Sequence, residues 1–182
     1  INMSKRKGQF VTMDQLMDEV GADVAKFFFL MRRPNSHLDF DLDLARDTSS
    51  ENPVYYVKYA HARICSIIDR ARESGFDVPE PTKAGLGGLE DPAAWSLAGH
   101  VIRLPRMITA AAINREPHRL TNYVLELSRA FHQFYTECKV VDEDERARSE
   151  SRLMICQLAR KAIADVLAII GVEAPQRLPD KE

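Results

Sequence analysis

Tyrosine and arginine side chains recur along one segment of this chain at a spacing that would place them on one face of a helix. In residues 52–68 and the turn that follows, a rotation of about 100° per residue sets Tyr56, Tyr59, Arg63 and Arg70 within roughly 60° of one another. Rings interleaved with guanidinium groups suit unstacked nucleobases, because every base offers a face for stacking and every phosphate a charge. Tyrosines at helical spacing are equally typical of a core whose hydroxyls reach water. The segment alone leaves both interpretations open.

A second candidate site is a short basic run near the start of the chain. Residues 2–8 read Asn-Met-Ser-Lys-Arg-Lys-Gly, with three consecutive cations at Lys5, Arg6 and Lys7. Clustered cations suit a polyphosphate, because positioned ammonium groups stabilise the charge that develops on oxygens during phosphoryl or nucleotidyl transfer. A basic run of this length is also typical of a solvated turn that binds nothing.

The histidines and cysteines do not have the spacing of metal ligands or of a catalytic nucleophile. His132 has no second histidine or cysteine at ligand spacing, so we predict a helix-surface or interface residue, and we expect the same of His61 and His118. The cysteines are widely spaced, lack a C-x-x-C pair, and are expected to be reduced, small core residues of a cytosolic protein: Cys65, Cys138 and Cys156. No metal site is predicted.

Composition limits the partners this chain can have. With 182 residues and 45% hydrophobic content it is long enough for one good-sized core. No apolar run approaches the ~20 residues of a bilayer span, and no basic-then-apolar leader is present, so neither a membrane nor secretion is indicated. The net charge of −2 argues against nucleic-acid binding driven by bulk charge, DNA included, so any RNA contact must be local. Because the first residue is Ile, we expect a part of a longer polypeptide.

The first 46 residues predict a small α/β connector with one or two short strands. Residues 10–12 are β-prone, and Thr12 then serves as the N-cap of a helix over 13–20 that ends at Gly21. A second helix over 22–33 carries three successive phenylalanines. Leucine and phenylalanine alternate with aspartate over 37–44, which predicts a strand with an acidic edge. The aspartates do not match a calcium loop, because the sharp-turn glycine is replaced by leucine.

The rest of the chain predicts a helical bundle, so the fold class is mainly α. A helix from Pro53 to about Ser74 would bury Val54, Val57, Ala60, Ile64, Ile68 and Ala71. A flexible loop is expected over 75–91, after which Asp91 caps a helix that Pro105 kinks or divides. Two further helices follow, over 120–138 and from 149 to 170, joined by a turn.

Several ordered blocks of this sequence resemble the C-terminal part of a bacterial arginyl-tRNA synthetase, a class I enzyme. They read Met-Ser-Lys-Arg, then Phe-Val-Thr-Met-Asp-Gln-Leu-Met-Asp-Glu-Val-Gly, then His-Leu-Asp-Phe-Asp-Leu, then Asn-Pro-Val-Tyr-Tyr-Val-Lys-Tyr-Ala-His-Ala-Arg. The likeness runs nearly end to end and falters only over about 75–90. It implies an arginine-tRNA ligase whose 1–46 segment closes the catalytic region and whose 47–182 segment is a helical anticodon-binding domain of the DALR type, acting in the cytoplasm.

The resemblance also implies roles for the basic run. In the family, a Lys-Met-Ser-Lys-Ser loop closes on ATP, and its second lysine steadies the pyrophosphate as the adenylate forms. Met3, Ser4 and Lys5 keep that pattern and are implied as ATP contacts, with Lys5 catalytic, whereas Asn2 and Arg6 depart from it. ATP with Mg²⁺ is then a substrate of the full-length enzyme and is not bound by this part alone. The His-Ile-Gly-His signature and the nucleotide-binding sheet are absent here, so the missing N-terminal catalytic domain must supply adenylation.

The implied partner is tRNA(Arg). Family anticodon contacts, carried over by position, fall on Tyr56, Tyr59, Arg63, Tyr135, Lys139 and Leu178. Two other readings stay open: the tail of another class I synthetase, such as a cysteinyl-like enzyme, and a free-standing, non-enzymatic module that binds tRNA or docks a protein through its phenylalanines. A preference for the arginine anticodon over swapped anticodons discriminates among the three.

Overall fold

The computed structural model describes residues 12–33, 35–36, 40–78, 80 and 89–178. Within these ranges the chain is built from helices: α1 Met13–Val20, α2 Ala22–Leu30, α3 Leu42–Arg46, α4 Pro53–Glu73, α5 Pro92–Ile102, α6 Leu104–Asn114, α7 His118–Glu137 and α8 Arg146–Ile169, with a 3₁₀ turn at Glu143–Glu145. The predicted mainly α class is confirmed. None of the described helices combines the length and the apolar character needed to cross a membrane.

The first two helices begin as the sequence predicts. The Thr12 hydroxyl accepts a hydrogen bond from the Gln15 amide, and the Gln15 side chain accepts one from the Thr12 amide, so the two form a capping box. Gly21 joins α1 to α2 with φ at +83°, a conformation that glycine adopts without strain. The predicted extension of α2 to residue 33 is wrong, because α2 ends at Leu30. The residue before a proline avoids the helical region, and Arg33 precedes Pro34.

The predicted strand over 37–44 is wrong in the part that the structure describes. Residues 42–44 instead begin α3, because the Asp41 carboxylate accepts a hydrogen bond of 3.0 Å from the Leu44 amide and caps the helix. Over so few residues, alternation does not distinguish a strand from one helical turn whose polar residues face solvent. The β-prone residues Phe10 and Val11 lie outside the described residues, as do residues 37–39.

The long helix α4 is started by one buried side chain. The Asn52 carboxamide oxygen accepts hydrogen bonds from the Val54 and Tyr55 amides, and its nitrogen donates to the carbonyls of Ala45 and Asp47. Asn52 is 2% exposed, so these four bonds satisfy a polar group that would be costly to bury unpaired. The predicted inward face of α4 is confirmed by burial: Val54, Val57, Ala60, Ile64, Ile68 and Ala71.

Helices α4, α5, α7 and α8 pack around one core, with α6 lying against the start of α7. As predicted, α5 and α6 are separate helices, divided at Arg103 just before Pro105. Helix α8 begins three residues before its predicted start. Tyr123, on α7, is 1% exposed, and its hydroxyl donates a hydrogen bond to the His100 carbonyl at 2.8 Å. The boundary at residue 47 and the flexible loop over 75–91 stay predictions.

A buried arginine connects three elements at the far end of the bundle. Arg152, on α8, donates to the Asp91 carboxylate at 2.5 Å and to the Lys139 carbonyl at 2.6 Å. Asp91 is the N-cap residue of α5, as predicted, but its carboxylate makes no capping hydrogen bond and faces Arg152 instead. The guanidinium therefore fixes the start of α5 against the end of α7.

Candidate nucleic-acid interface

Four of the predicted tRNA-binding residues lie together where α4 packs against α7. Tyr56, Tyr59 and Arg63 lie on successive turns of α4, and Tyr135 lies on α7. The Arg63 guanidinium carbon is 4.7 Å from the centroid of the Tyr135 ring and 5.8 Å from that of Tyr59. A cation within about 6 Å of a ring face is attracted by its quadrupole, so both rings hold the arginine in place. Tyr59 is 37% exposed, and its ring is therefore accessible to a ligand.

A histidine that the sequence analysis left out of the site completes this cluster. The His132 ring is 4.7 Å from the Tyr56 ring and 5.6 Å from the Tyr59 ring, nearly parallel to the latter at 22°. It is half-buried, and its Nε2 atom is buried without a hydrogen-bond partner among the described residues. Because α7 places His132 three residues before Tyr135, helical spacing from that tyrosine is the sequence signal that points to it.

Burial sets the charge of the cluster. Desolvation lowers the pKa of His132 below its ordinary value, and the nearby positive charge of Arg63 lowers it further, while the Tyr56 backbone carbonyl acts in the opposite direction. The imidazole is therefore neutral at pH 7. Desolvation also raises the pKa of Tyr56, despite the opposing charge of Arg129, so its hydroxyl keeps its proton. Cationic charge in this cluster thus comes from Arg63.

Tyr56, Tyr59 and His132 line an open groove of about 560 Å³, with Arg63 and Tyr135 beside it. Its walls are formed by Ser49, Ser50, Tyr55, Tyr56, Tyr59 and His132. Asp47 shapes the serine side, because its carboxylate accepts hydrogen bonds from both the amide and the hydroxyl of Ser49 at 2.7 Å. The volume falls in the range of pockets that hold small ligands, and the mixed lining of rings and hydroxyls suits a polar aromatic ligand such as a nucleobase.

Lys139 and Leu178, the other predicted site residues that the structure describes, are not part of the groove lining. Lys139 lies beyond the end of α7, and its ammonium is 3.1 Å from the Asp142 carboxylate. Leu178 is half-buried at the end of the described segment that follows α8. Met3, Ser4 and Lys5 lie outside the described residues. Within the described ranges, no group of three or more His, Cys, Asp or Glu side chains is placed to hold a metal ion.

The segment after α8 is held by hydrogen bonds on the side of α4 that faces away from the aromatic cluster. The His61 Nδ1 atom is 2.8 Å from the Pro175 carbonyl, and the Asp23 carboxylate accepts hydrogen bonds from Lys58 and from the Glu173 amide. His61 was predicted to be a helix-surface or interface residue, and it is 5% exposed, where α4 meets the segment after α8. Its position two residues from both Tyr59 and Arg63 turns it away from the aromatic face and into the packed side of α4. Cys65, Cys138 and Cys156 are free and buried, as predicted.

Over the residues that the structure describes, the fold is a helical bundle that holds a cation between tyrosine rings beside an open groove, an arrangement suited to unstacked bases. Residues 57–178 match the family model described as the DALR anticodon binding domain. The chain belongs to the DALR anticodon-binding domain family.

The curated relatives of this chain include arginine–tRNA ligases. The chain is 47% identical over 178 residues to an arginine–tRNA ligase of Moorella thermoacetica and 46% identical over 182 residues to that of Heliobacterium modesticaldum. Each match covers 98% of this chain and 32% of the relative, so the chain spans about a third of their length.

Solved structures agree with the sequence matches. A crystal structure described as an arginyl tRNA synthetase from Campylobacter jejuni superposes with a TM-score of 0.82 at 29% identity, covering 94% of this chain and 36% of the other. The arginyl-tRNA synthetase of Plasmodium falciparum gives 0.73 at 25% identity, covering 92% and 29%. The sequence therefore corresponds to the C-terminal part of such enzymes.

Proposed function

We propose that this chain binds the anticodon loop of tRNA(Arg) on behalf of an arginine–tRNA ligase. The observation that carries the proposal is the cluster formed by Tyr56, Tyr59, Arg63 and Tyr135 beside the groove of about 560 Å³. Anticodon bases are unpaired and can turn outward, so a protein can read them by stacking rings on their faces. The match of residues 57–178 to an anticodon-binding family supports the same interpretation.

We assign a role in RNA binding to each side chain of the cluster from its exposure and its contacts. Tyr59 offers the more accessible ring and is assigned to stack on a base, with Tyr56 forming the adjacent wall of the groove. Arg63 is held by two rings and keeps donors free for a phosphate or a base edge. Tyr135 fixes the guanidinium from the α7 side. Lys139 and Leu178 are assigned secondary contacts, reached when the RNA extends beyond the groove.

The remaining parts of the proposal concern the longer ligase. Relatives named arginine–tRNA ligase imply the use of ATP, and we assign Met3, Ser4 and Lys5 to ATP contact, with Lys5 steadying the pyrophosphate. Mg²⁺ accompanies the nucleotide, and the reaction takes place in the cytoplasm. Residues 1–46 close the catalytic region, and residues 47–182 form the anticodon-binding domain. This chain then contributes tRNA binding, while an N-terminal catalytic domain performs adenylation.

The test measures binding of the chain to a fluorescent anticodon stem-loop RNA of tRNA(Arg) by anisotropy. We expect Tyr59→Ala and Tyr135→Ala each to weaken binding by about 1–3 kcal/mol, the usual contribution of one base stack or its supporting ring. Tyr59→Phe keeps the ring and should bind within a few-fold of the parent chain. Trp95→Ala removes an exposed aromatic residue of α5 and serves as the matched control.

Swapped anticodons separate the competing functions. A preference for the arginine anticodon supports the proposal, whereas equal affinity for all stem-loops would support a general tRNA-binding module. A preference for a different anticodon would assign the domain to another synthetase. Unchanged affinity of both alanine variants would remove the base-stacking role of the groove.

A further inference from the structure

Positive charge is segregated in one part of a chain that is acidic overall. The chain has a net charge of −2, yet residues 92–125 contain four arginines, no lysine, no aspartate and a single glutamate. That stretch forms α5, α6 and the first two turns of α7. A net charge of +3 confined to one end of a helical bundle creates a local positive potential that the overall composition hides.

Three of these arginines have no carboxylate partner within the described residues. Arg103 lies between α5 and α6, Arg106 lies one turn further on, and Arg115 ends α6; all three are exposed. The single glutamate of the stretch, Glu116, is already paired with Arg119. Hydrogen bonding from Arg119 lowers the pKa of Glu116, so that carboxylate stays charged and engaged. We call Arg103, Arg106 and Arg115 the α6 arginine patch.

Helix α7 connects the α6 arginine patch to the aromatic groove. Arg103 is close enough to Tyr123, on α7, for its charge to influence that hydroxyl, and Arg115 lies three residues before α7 begins at His118. His132, in the groove, is nine residues beyond Tyr123, or about 14 Å along α7 at 1.5 Å per residue. Arg129 lies between them and acts on Tyr56 electrostatically.

We propose that the α6 arginine patch binds the phosphate backbone of the anticodon stem while the groove holds the loop. This proposal rests on the proposed function, because it places the stem relative to the same RNA. Guanidinium groups without carboxylate partners are free to take up phosphate oxygens, and double-stranded RNA is recognised by its shape and backbone more than by its bases. The groove then selects the RNA, and the patch adds affinity without regard to sequence.

Two exposed isoleucines, one directly before Arg103 and one two residues before Arg115, provide a discriminating control. Ile102 is 76% exposed and Ile113 is 75% exposed. A protein partner would bury them, whereas a phosphate backbone would not. The patch variant is Arg103→Gln combined with Arg106→Gln, and its surface control is Ile102→Gln combined with Ile113→Gln. A charge-matched control, Arg72→Gln with Lys161→Gln, removes two exposed cations from α4 and α8.

The experiment compares two RNAs over a range of salt concentrations. One is the anticodon stem-loop, and the other is the seven-nucleotide loop sequence as a single strand. The patch variant should bind the stem-loop about 3- to 30-fold more weakly at low salt. Its plot of log affinity against log salt should be shallower by about 1 to 2, since each phosphate interaction that is removed lowers the slope by roughly 0.7 to 0.9. Its affinity for the single strand should stay unchanged, and both control pairs should match the parent chain.

Other results would overturn this proposal or the proposed function separately. If the patch variant binds the stem-loop normally while Tyr59→Ala does not, the patch has no role in RNA binding and the groove keeps its own. If the isoleucine pair weakens stem-loop binding and the arginine pair does not, contact with the stem backbone is excluded. If Tyr59→Ala changes the affinity for neither RNA, the proposed function is contradicted, whatever the result for the patch variant. Arg115 has a left-handed backbone with φ at 54°, which asparagine tolerates. Adding Arg115→Asn to the patch variant should weaken its binding to the stem-loop further.

Discussion

His132 shows how one side chain can organise a binding surface without offering a polar atom to the ligand. Its ring lies against both Tyr56 and Tyr59, and its Nε2 atom is buried without a partner among the described residues. An unpaired buried nitrogen costs about 1–3 kcal/mol. Such a cost is tolerated where the surrounding structure has another use for the group. Here the neutral imidazole supports two tyrosine rings at the edge of a groove.

Removing the His132 ring should loosen the tyrosines and weaken RNA binding. We expect His132→Ala to reduce affinity for the anticodon stem-loop about 5- to 20-fold, because each of the two histidine–tyrosine ring pairs contributes roughly 0.5–1.5 kcal/mol. His132→Phe keeps a ring of similar size and should retain most of the affinity. Gln133→Ala, which removes a surface side chain bonded to Glu137, is the control. Equal affinity of His132→Ala and the parent chain would contradict a supporting role.

At the scale of elements, long amphipathic helices were predictable and short or buried polar features were not. The inward faces of α4, α7 and α8 follow from apolar spacing over twenty or more residues, because such periodicity is hard to satisfy any other way. Helix α3 was missed because its first three residues, Leu-Asp-Leu, end a run of alternating apolar residues and aspartates that fits a strand equally well, and only the cap from Asp41 decides for a helix. His132 was missed as a site residue because its ring partners, Tyr56 and Tyr59, lie on another helix, and its three-residue spacing from Tyr135 was the only sequence signal for its place in the site.

Among the contacts between helices, we expect the one made by Arg152 to be strongly affected by a single substitution. Its guanidinium, 8% exposed, joins α8 to the start of α5 and to the end of α7, whereas the partner carboxylate of Asp91 is 36% exposed. We expect Arg152→Met to lower the free energy of unfolding by about 2–4 kcal/mol. Removing one partner of a buried pair costs about 3–5 kcal/mol, and partial exposure of Asp91 reduces that cost.

Urea unfolding of the chain checks this value, with Arg148→Ala as the comparison. Arg148 pairs with Glu90 and Glu145 at the surface, where such pairs contribute about 0–1 kcal/mol. A double-mutant cycle with Asp91→Ala isolates the coupling between the two side chains. If Arg152→Met and Arg148→Ala lower the free energy of unfolding by similar amounts, burial of Arg152 makes no extra contribution to stability.

For the whole molecule, the buried His61 and the half-buried His132 make the free energy of unfolding depend on pH near neutrality. Burial lowers the pKa of His61 below 6.5, opposed by its hydrogen bond to the Pro175 carbonyl, and burial lowers that of His132 as well. The folded chain therefore resists protonation that the unfolded chain accepts. Where the unfolded state binds more protons, stability rises with pH. Both contributions are complete above pH 6.5 and are lost as the pH falls below that value.

We expect the free energy of unfolding to decrease between about pH 7.5 and about pH 5.5, and the decrease to be smaller in a variant that lacks both imidazoles. Urea unfolding of the parent chain and of His61→Gln combined with His132→Phe, at several pH values in this range, measures the two slopes. The comparison uses slopes because the substitutions also change stability at every pH. Asp23 has a lowered pKa, since bonds from Lys58 and the Glu173 amide outweigh its burial, so its stabilisation is lost only below about pH 4. It leaves this window unaffected, and parallel curves for the two proteins would therefore exclude the histidines as the source of the pH dependence.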